Sequence, residues 1–97
     1  MSHLVIVADI RATPGQGDAL ETALRALVPP TLGEEGCVHY DLHRDNDDPD
    51  HFLFHEAWES RALWERHNAS DHIAHHKSAN AALVESAVIH EMTRIDG

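Results

Sequence analysis

The chain is short of several things, and each shortage excludes a class of answers. It has one cysteine, Cys37, so no internal disulfide can form and no cysteine pair exists for a structural zinc site. Cys37 is expected to be a small buried side chain rather than a reactive thiol. Seven Lys and Arg stand against seventeen Asp and Glu, a formal net charge of −10. Such a surface repels a phosphate backbone, and no basic stripe with interleaved aromatics offsets it, so nucleic acid is not an expected partner. No apolar run approaches the roughly 20 residues that span a bilayer. The start also lacks a basic segment followed by a long apolar one, so no membrane association is expected and the expected location is cytoplasmic.

What is present is ordinary for a globular protein, with 42% hydrophobic residues over 97 positions. One domain, residues 1–97, is expected. A domain of this size hides only about two thirds of the surface its unfolded chain exposes, so pairing with a second copy would help. Ten histidines are unusual in so short a chain. Each can donate, accept, ligate or carry a proton near neutral pH.

Read in order, Leu4 to Ile10 is a nearly continuous β-branched run, expected as a central strand covered on both faces. Thr13-Pro14-Gly15-Gln16-Gly17 breaks it. From about Asp18 to Val28, Leu20, Ala23, Leu24 and Leu27 fall at helical spacing, and Pro29 and Pro30 should end or kink that helix. Cys37 to Arg44 alternates, as a half-buried edge strand does. Asp45-Asn-Asp-Asp-Pro-Asp50 reads as a tight connection; it lacks the central glycine and distant glutamate of a calcium loop. A second apolar strand, Phe52 to Glu59, then puts Phe52, Phe54, Glu56 and Trp58 on one face. Glu56 among aromatics has two readings, a group near a sheet end that keeps water or pairs with an arginine, or part of a site.

Ser60 caps a short helix carrying Leu63, Trp64 and His67. Asn68-Ala-Ser70 interrupts it, and Ser70 or Asp71 caps another in which His72, His75 and His76 share a side. Val88 to Ile95 is the last strand and the other edge. The order is β-α-β-β-α-β with the second helix broken, the α+β ferredoxin-like arrangement with an antiparallel sheet. Its two central strands are the two most apolar ones here. One sheet face takes the helices, and the other needs a cover that a second copy would supply.

Glu35-Gly36-Cys37-Val38-His39-Tyr40-Asp41-Leu42-His43-Arg44-Asp45, then Phe52-Leu-Phe-His-Glu-Ala-Trp58-Glu-Ser60, then Leu63, His67, Ser70 and His72 resemble the antibiotic biosynthesis monooxygenase family, including its quinol monooxygenase type. The resemblance spans nearly the whole chain. It departs where the commoner Glu-Pro-Gly-Cys turn reads Glu34-Glu35-Gly36-Cys37. It implies a homodimeric α+β barrel with a pocket between sheet and helices. It also implies oxidation of a small aromatic, a quinol or polyphenol, by O2 without flavin, haem or metal. In that chemistry the deprotonated substrate donates its own electrons to oxygen, and the protein supplies an apolar cavity, a base and hydrogen bonds to an oxyanion. His67 or His72 is the expected catalytic base. Tyr40, Phe54, Glu56, Trp58, Trp64 and His76 are the expected substrate-binding residues; no metal and no cofactor are expected.

Three rival readings stand beside this one. The same domain would serve as a noncatalytic binding module for a small aromatic. Haem-degrading relatives carry an asparagine on the first strand and a tryptophan near the place of His67, neither of which occurs here. Metal binding by His72, His75 and His76 would need a carboxylate from elsewhere in space.

Overall fold

The computed structural model describes residues 3–96. Nine elements run in the order β1 (Leu4–Ala12), α1 (Gly17–Arg25), α2 (Val28–Leu32), β2 (Cys37–Arg44), β3 (His51–Trp58), α3 (Arg61–Asn68), α4 (Asp71–Ala79), a 3-10 turn (Ala81–Leu83) and β4 (Val84–Met92). The sheet order is β2-β3-β1-β4 with every pair antiparallel, so the fold is the α+β ferredoxin-like one. The two apolar strands lie in the middle and the two mixed strands at the edges. Burial is the cause, since a central strand gives no side of its backbone to water.

Register places Ile6, Ala8 and Ile10 of β1 beside Glu56, Phe54 and Phe52 of β3 on the face that the helices cover. Leu20, Leu24 and Leu27 close over this face and are buried with Phe52, Phe54 and Trp58. On the other face Val5, Val7 and Asp9 are only half-buried. The apolar run of β1 thus has two covered faces only if something outside the chain lies on the second one.

Several boundaries differ from those read in the sequence. α1 ends at Arg25, ahead of the prolines rather than at them. Pro29 and Pro30 sit in the first turn of α2, where a missing amide hydrogen costs nothing. Ala81 to Leu83 form a 3-10 turn rather than a helical stripe, and Leu83 accepts a hydrogen bond from Thr13 N. That tie starts β4 at Val84, four residues before the expected Val88, and the strand ends at Met92. Cys37 is half-buried rather than buried, at the start of an edge strand where the register shifts. Burial still pushes its thiol pKa up.

Two joints position the site. The Ser60 hydroxyl accepts from Leu63 N at 3.2 Å, fixing where α3 leaves β3. Gly36, at φ +86°, turns the chain into β2 so closely under Leu63 that a β-carbon there would collide with it.

Candidate active site

Between the sheet and α3 and α4 lies a cavity of about 560 Å³. This falls in the range of pockets for small organic ligands. Ile6, Ala8 and Phe54 form its floor and Trp64 and Ile73 its roof, so its walls are mostly apolar. Exposed residues at its margin, among them Ile89 and Glu91 of β4 and Lys77 of α4, mark the mouth.

Glu56 lies on this floor. It stands third from the end of β3, opposite Ile6 on one side and Tyr40 on the other, and it is 4% exposed. Its place near the sheet end is as expected, but the group neither keeps water nor pairs with an arginine. Its partner is the Trp58 indole, whose Nε1 donates to Oε1 at 2.9 Å. Strand alternation explains the pair, because residues two apart share a face. Burial raises the Glu56 pKa to about 7, with the indole hydrogen bond pulling the other way. A carboxyl so placed can give or take a proton near neutral pH.

His67 faces the same cavity from α3 and is 3% exposed. Its Nδ1 donates to Glu34 Oε1 at 2.6 Å. A carboxylate only accepts, so the ring proton is held at Nδ1 and Nε2 keeps its lone pair. Nε2 is therefore the ring nitrogen able to accept from a ligand in the cavity that His67 lines. Burial lowers the His67 pKa and Glu34 opposes that fall. The ring is thus a neutral, oriented base at pH 7. Tyr40 meets it edge-on at 5.5 Å and Trp58 lies 4.8 Å away, centroid to centroid.

A second layer stands behind it. His72 Nε2 is 3.2 Å from the same Glu34 oxygen and 3.0 Å from the hydroxyl of Thr31, a fully buried residue. Burial raises the Tyr40 pKa well above the usual phenol range, keeping it neutral, with Thr31 pulling the other way. Glu34, His67, His72 and Thr31 therefore form one connected polar network at the edge of an apolar cavity.

Tyr40, Phe54, Glu56, Trp64, His67 and His76 all line the cavity. Trp58 and His72 do not. Trp58 is fully buried and acts on the cavity through Glu56, and His72 touches Glu34 and Thr31 from behind His67. His72, His75 and His76 do not form a group: His75 is exposed, and His76 Nδ1 accepts from Asn80 at 3.1 Å. Glu34 and Thr31 were not singled out in the sequence. Glu34 stands in a turn that reads as solvated, Thr31 in a proline-rich break, and only the folded chain brings them to α3 and α4.

The model of the antibiotic biosynthesis monooxygenase family matches residues 3–79. "Putative monooxygenase Rv0793" of Mycobacterium tuberculosis is 30% identical over 90% of this chain and 85% of its own. The crystal structure of PA3566 from Pseudomonas aeruginosa superposes with a TM-score of 0.94 at 38% identity, covering 99% of this chain and 97% of that one. A crystal structure described as an antibiotic biosynthesis monooxygenase gives 0.86 at 31%, covering 96% and 99%. With a family match over most of its length and a fold shared almost throughout, the chain belongs to the antibiotic biosynthesis monooxygenase family, whose names point to a monooxygenase-like role.

Proposed function

We propose that the chain is a cofactor-independent monooxygenase that oxidises a quinol or polyphenol with O2 in the cavity between sheet and helices. The observation that carries this reading is the convergence of two proton-handling groups, the Glu56 carboxyl and the accepting Nε2 of His67, on one largely apolar cavity of about 560 Å³. An apolar cavity suits a flat ring. His67 Nε2 takes a phenolic proton, and Glu34 stabilises the imidazolium that results. The electron-rich anion gives two electrons to O2 and forms a C–O bond to it, and loss of water from that hydroperoxide breaks the O–O bond and takes two more electrons from the substrate C–H, leaving a carbonyl. One oxygen atom stays in the product and the other leaves as water with two substrate hydrogens, so no outside reductant is needed. Glu56, whose burial raises its pKa to about 7 and so favours its protonated form, gives a hydrogen bond to the oxygen on which charge develops.

The enzyme acts as a pair, with a second copy laid on the outer sheet face. Val5, Val7, Leu53 and Ala57 lie there with Val88, which is 51% exposed. That is the cover the run of β1 lacks within one chain.

The test is anaerobic incubation with dihydroxynaphthalenes and anthrones, followed by admission of air. Oxygen uptake should exceed the uncatalysed rate and fall in His67→Ala. Bound ligand with uptake no faster than buffer would instead make the chain a binding module.

A further inference from the structure

We propose that His39, Asp41 and His55 form a binding site for a divalent cation of the zinc class, on the sheet face opposite the cavity. His39 and Asp41 stand two apart on β2 and so share a face. Asp41 lies directly opposite His55 of β3, and His39 opposite Ala57, which brings His39 and His55 together on a diagonal. Their rings approach to 4.7 Å between centroids. One ligand atom from each of the three residues lies within 4.8 Å of the other two. Around a cation with bonds of about 2.0–2.2 Å, tetrahedral ligand atoms stand roughly 3.4 Å apart, so modest side-chain rotation closes the set.

A second observation is independent of that spacing. His39 Nε2 is out of water with no hydrogen-bond partner, and among the described residues it is the one buried side-chain nitrogen or oxygen in that state. Other imidazoles of this protein are partnered: His67 by Glu34, His51 by Asp45 and Asp9, His76 by Asn80. A buried polar atom left without a partner destabilises the fold. A cation bound at that nitrogen, with the ring proton on Nδ1, would remove the cost. Two imidazoles and one carboxylate are the donors that borderline divalent metals take, with a fourth position left to water or to a second chain. The net charge of −10 favours a cation at any surface site.

Glu34, His67 and His72 are also close enough to hold a metal, but their atoms already bond one another and Thr31. The outer site is the one whose donors await a ligand.

Titration of the full chain with zinc chloride by calorimetry is the test. One site per chain is expected, weakened by roughly 100-fold or more in His39→Ala and in His55→Ala. His55 and Asp41 are exposed within one chain, on the face laid against the second copy, so His55→Ala and Asp41→Asn keep the fold of the chain even if His39→Ala does not. His75→Ala, on the exposed side of α4, should leave the site intact. Zinc binding that is weak and spread over several sites, or that His75→Ala reduces as much as His55→Ala, would overturn the proposal. So would a chain that binds no zinc, its His39 nitrogen satisfied by water alone.

Discussion

Replacing Glu56 with glutamine should make the protein more stable, and only above acid pH. The carboxyl has a pKa of about 7 in the folded chain against 4.5 for an ordinary glutamate, because burial disfavours its charged form. Between those values the native state binds more protons than the unfolded state, so the contribution of this group to stability falls as pH rises. At about 1.4 kcal/mol for each tenfold change in proton affinity, ionising Glu56 inside the fold costs about 3 kcal/mol by the time pH passes 7. Glutamine has nearly the same shape, carries no charge, and its amide oxygen still accepts from the Trp58 indole. The Glu56→Gln variant should therefore match the native chain near pH 4.5 and exceed it by about 3 kcal/mol near pH 8. Urea unfolding of both proteins across this range measures the difference, in which every other titrating group cancels. A difference that stays flat with pH would refute the reasoning, since Glu56 would then titrate as a solvated carboxyl. The same variant should keep most of its activity, because the glutamine amide still donates a hydrogen bond to the oxygen on which charge develops.

Glu34→Gln should lower kcat by about tenfold or more, against the 10²–10⁴ expected from losing a general base outright in His67→Ala. Without the carboxylate, burial pushes the His67 pKa lower still, so the acid limb of the kcat/KM profile should move to lower pH. Gly36→Ala and Gly15→Ala both force alanine into a left-handed conformation at about 1–2 kcal/mol, but only Gly36 also has Leu63 against the added carbon. Thermal unfolding should show Gly36→Ala clearly the worse of the two. Sedimentation velocity should find a pair of chains, and Val88→Asp on the outer face should shift it toward single chains while far-UV circular dichroism stays unchanged.

The fold was legible because its signals are local. The β-branched run of β1 is continuous along the chain, and the alternation of Cys37 to Arg44 and the aromatic face of β3 follow from periods of two residues. The break in the second helix could be read from Asn68-Ala-Ser70. Boundaries near the prolines and before β4 were less legible. Pro29 serves a helix start as well as a helix end, and the Leu83 tie to Thr13 spans 70 residues of chain.

The site divides the same way. Sequence alone determined that Phe54, Glu56 and Trp58 share a face and that Trp64 and His67 share a helix side, because strand and helix geometry ties neighbours in the chain to neighbours in space. Only the tertiary structure decided that Trp58 serves Glu56 from outside the cavity, that Glu34 orients His67, and that His72 lies behind it. Those relations join residues up to 41 positions apart. They arise when the turn before β2 closes on α3 and α4, and burial then shifts the proton affinities of Glu56 and His67 in opposite directions. Burial is a property of the packed whole, which no local pattern encodes.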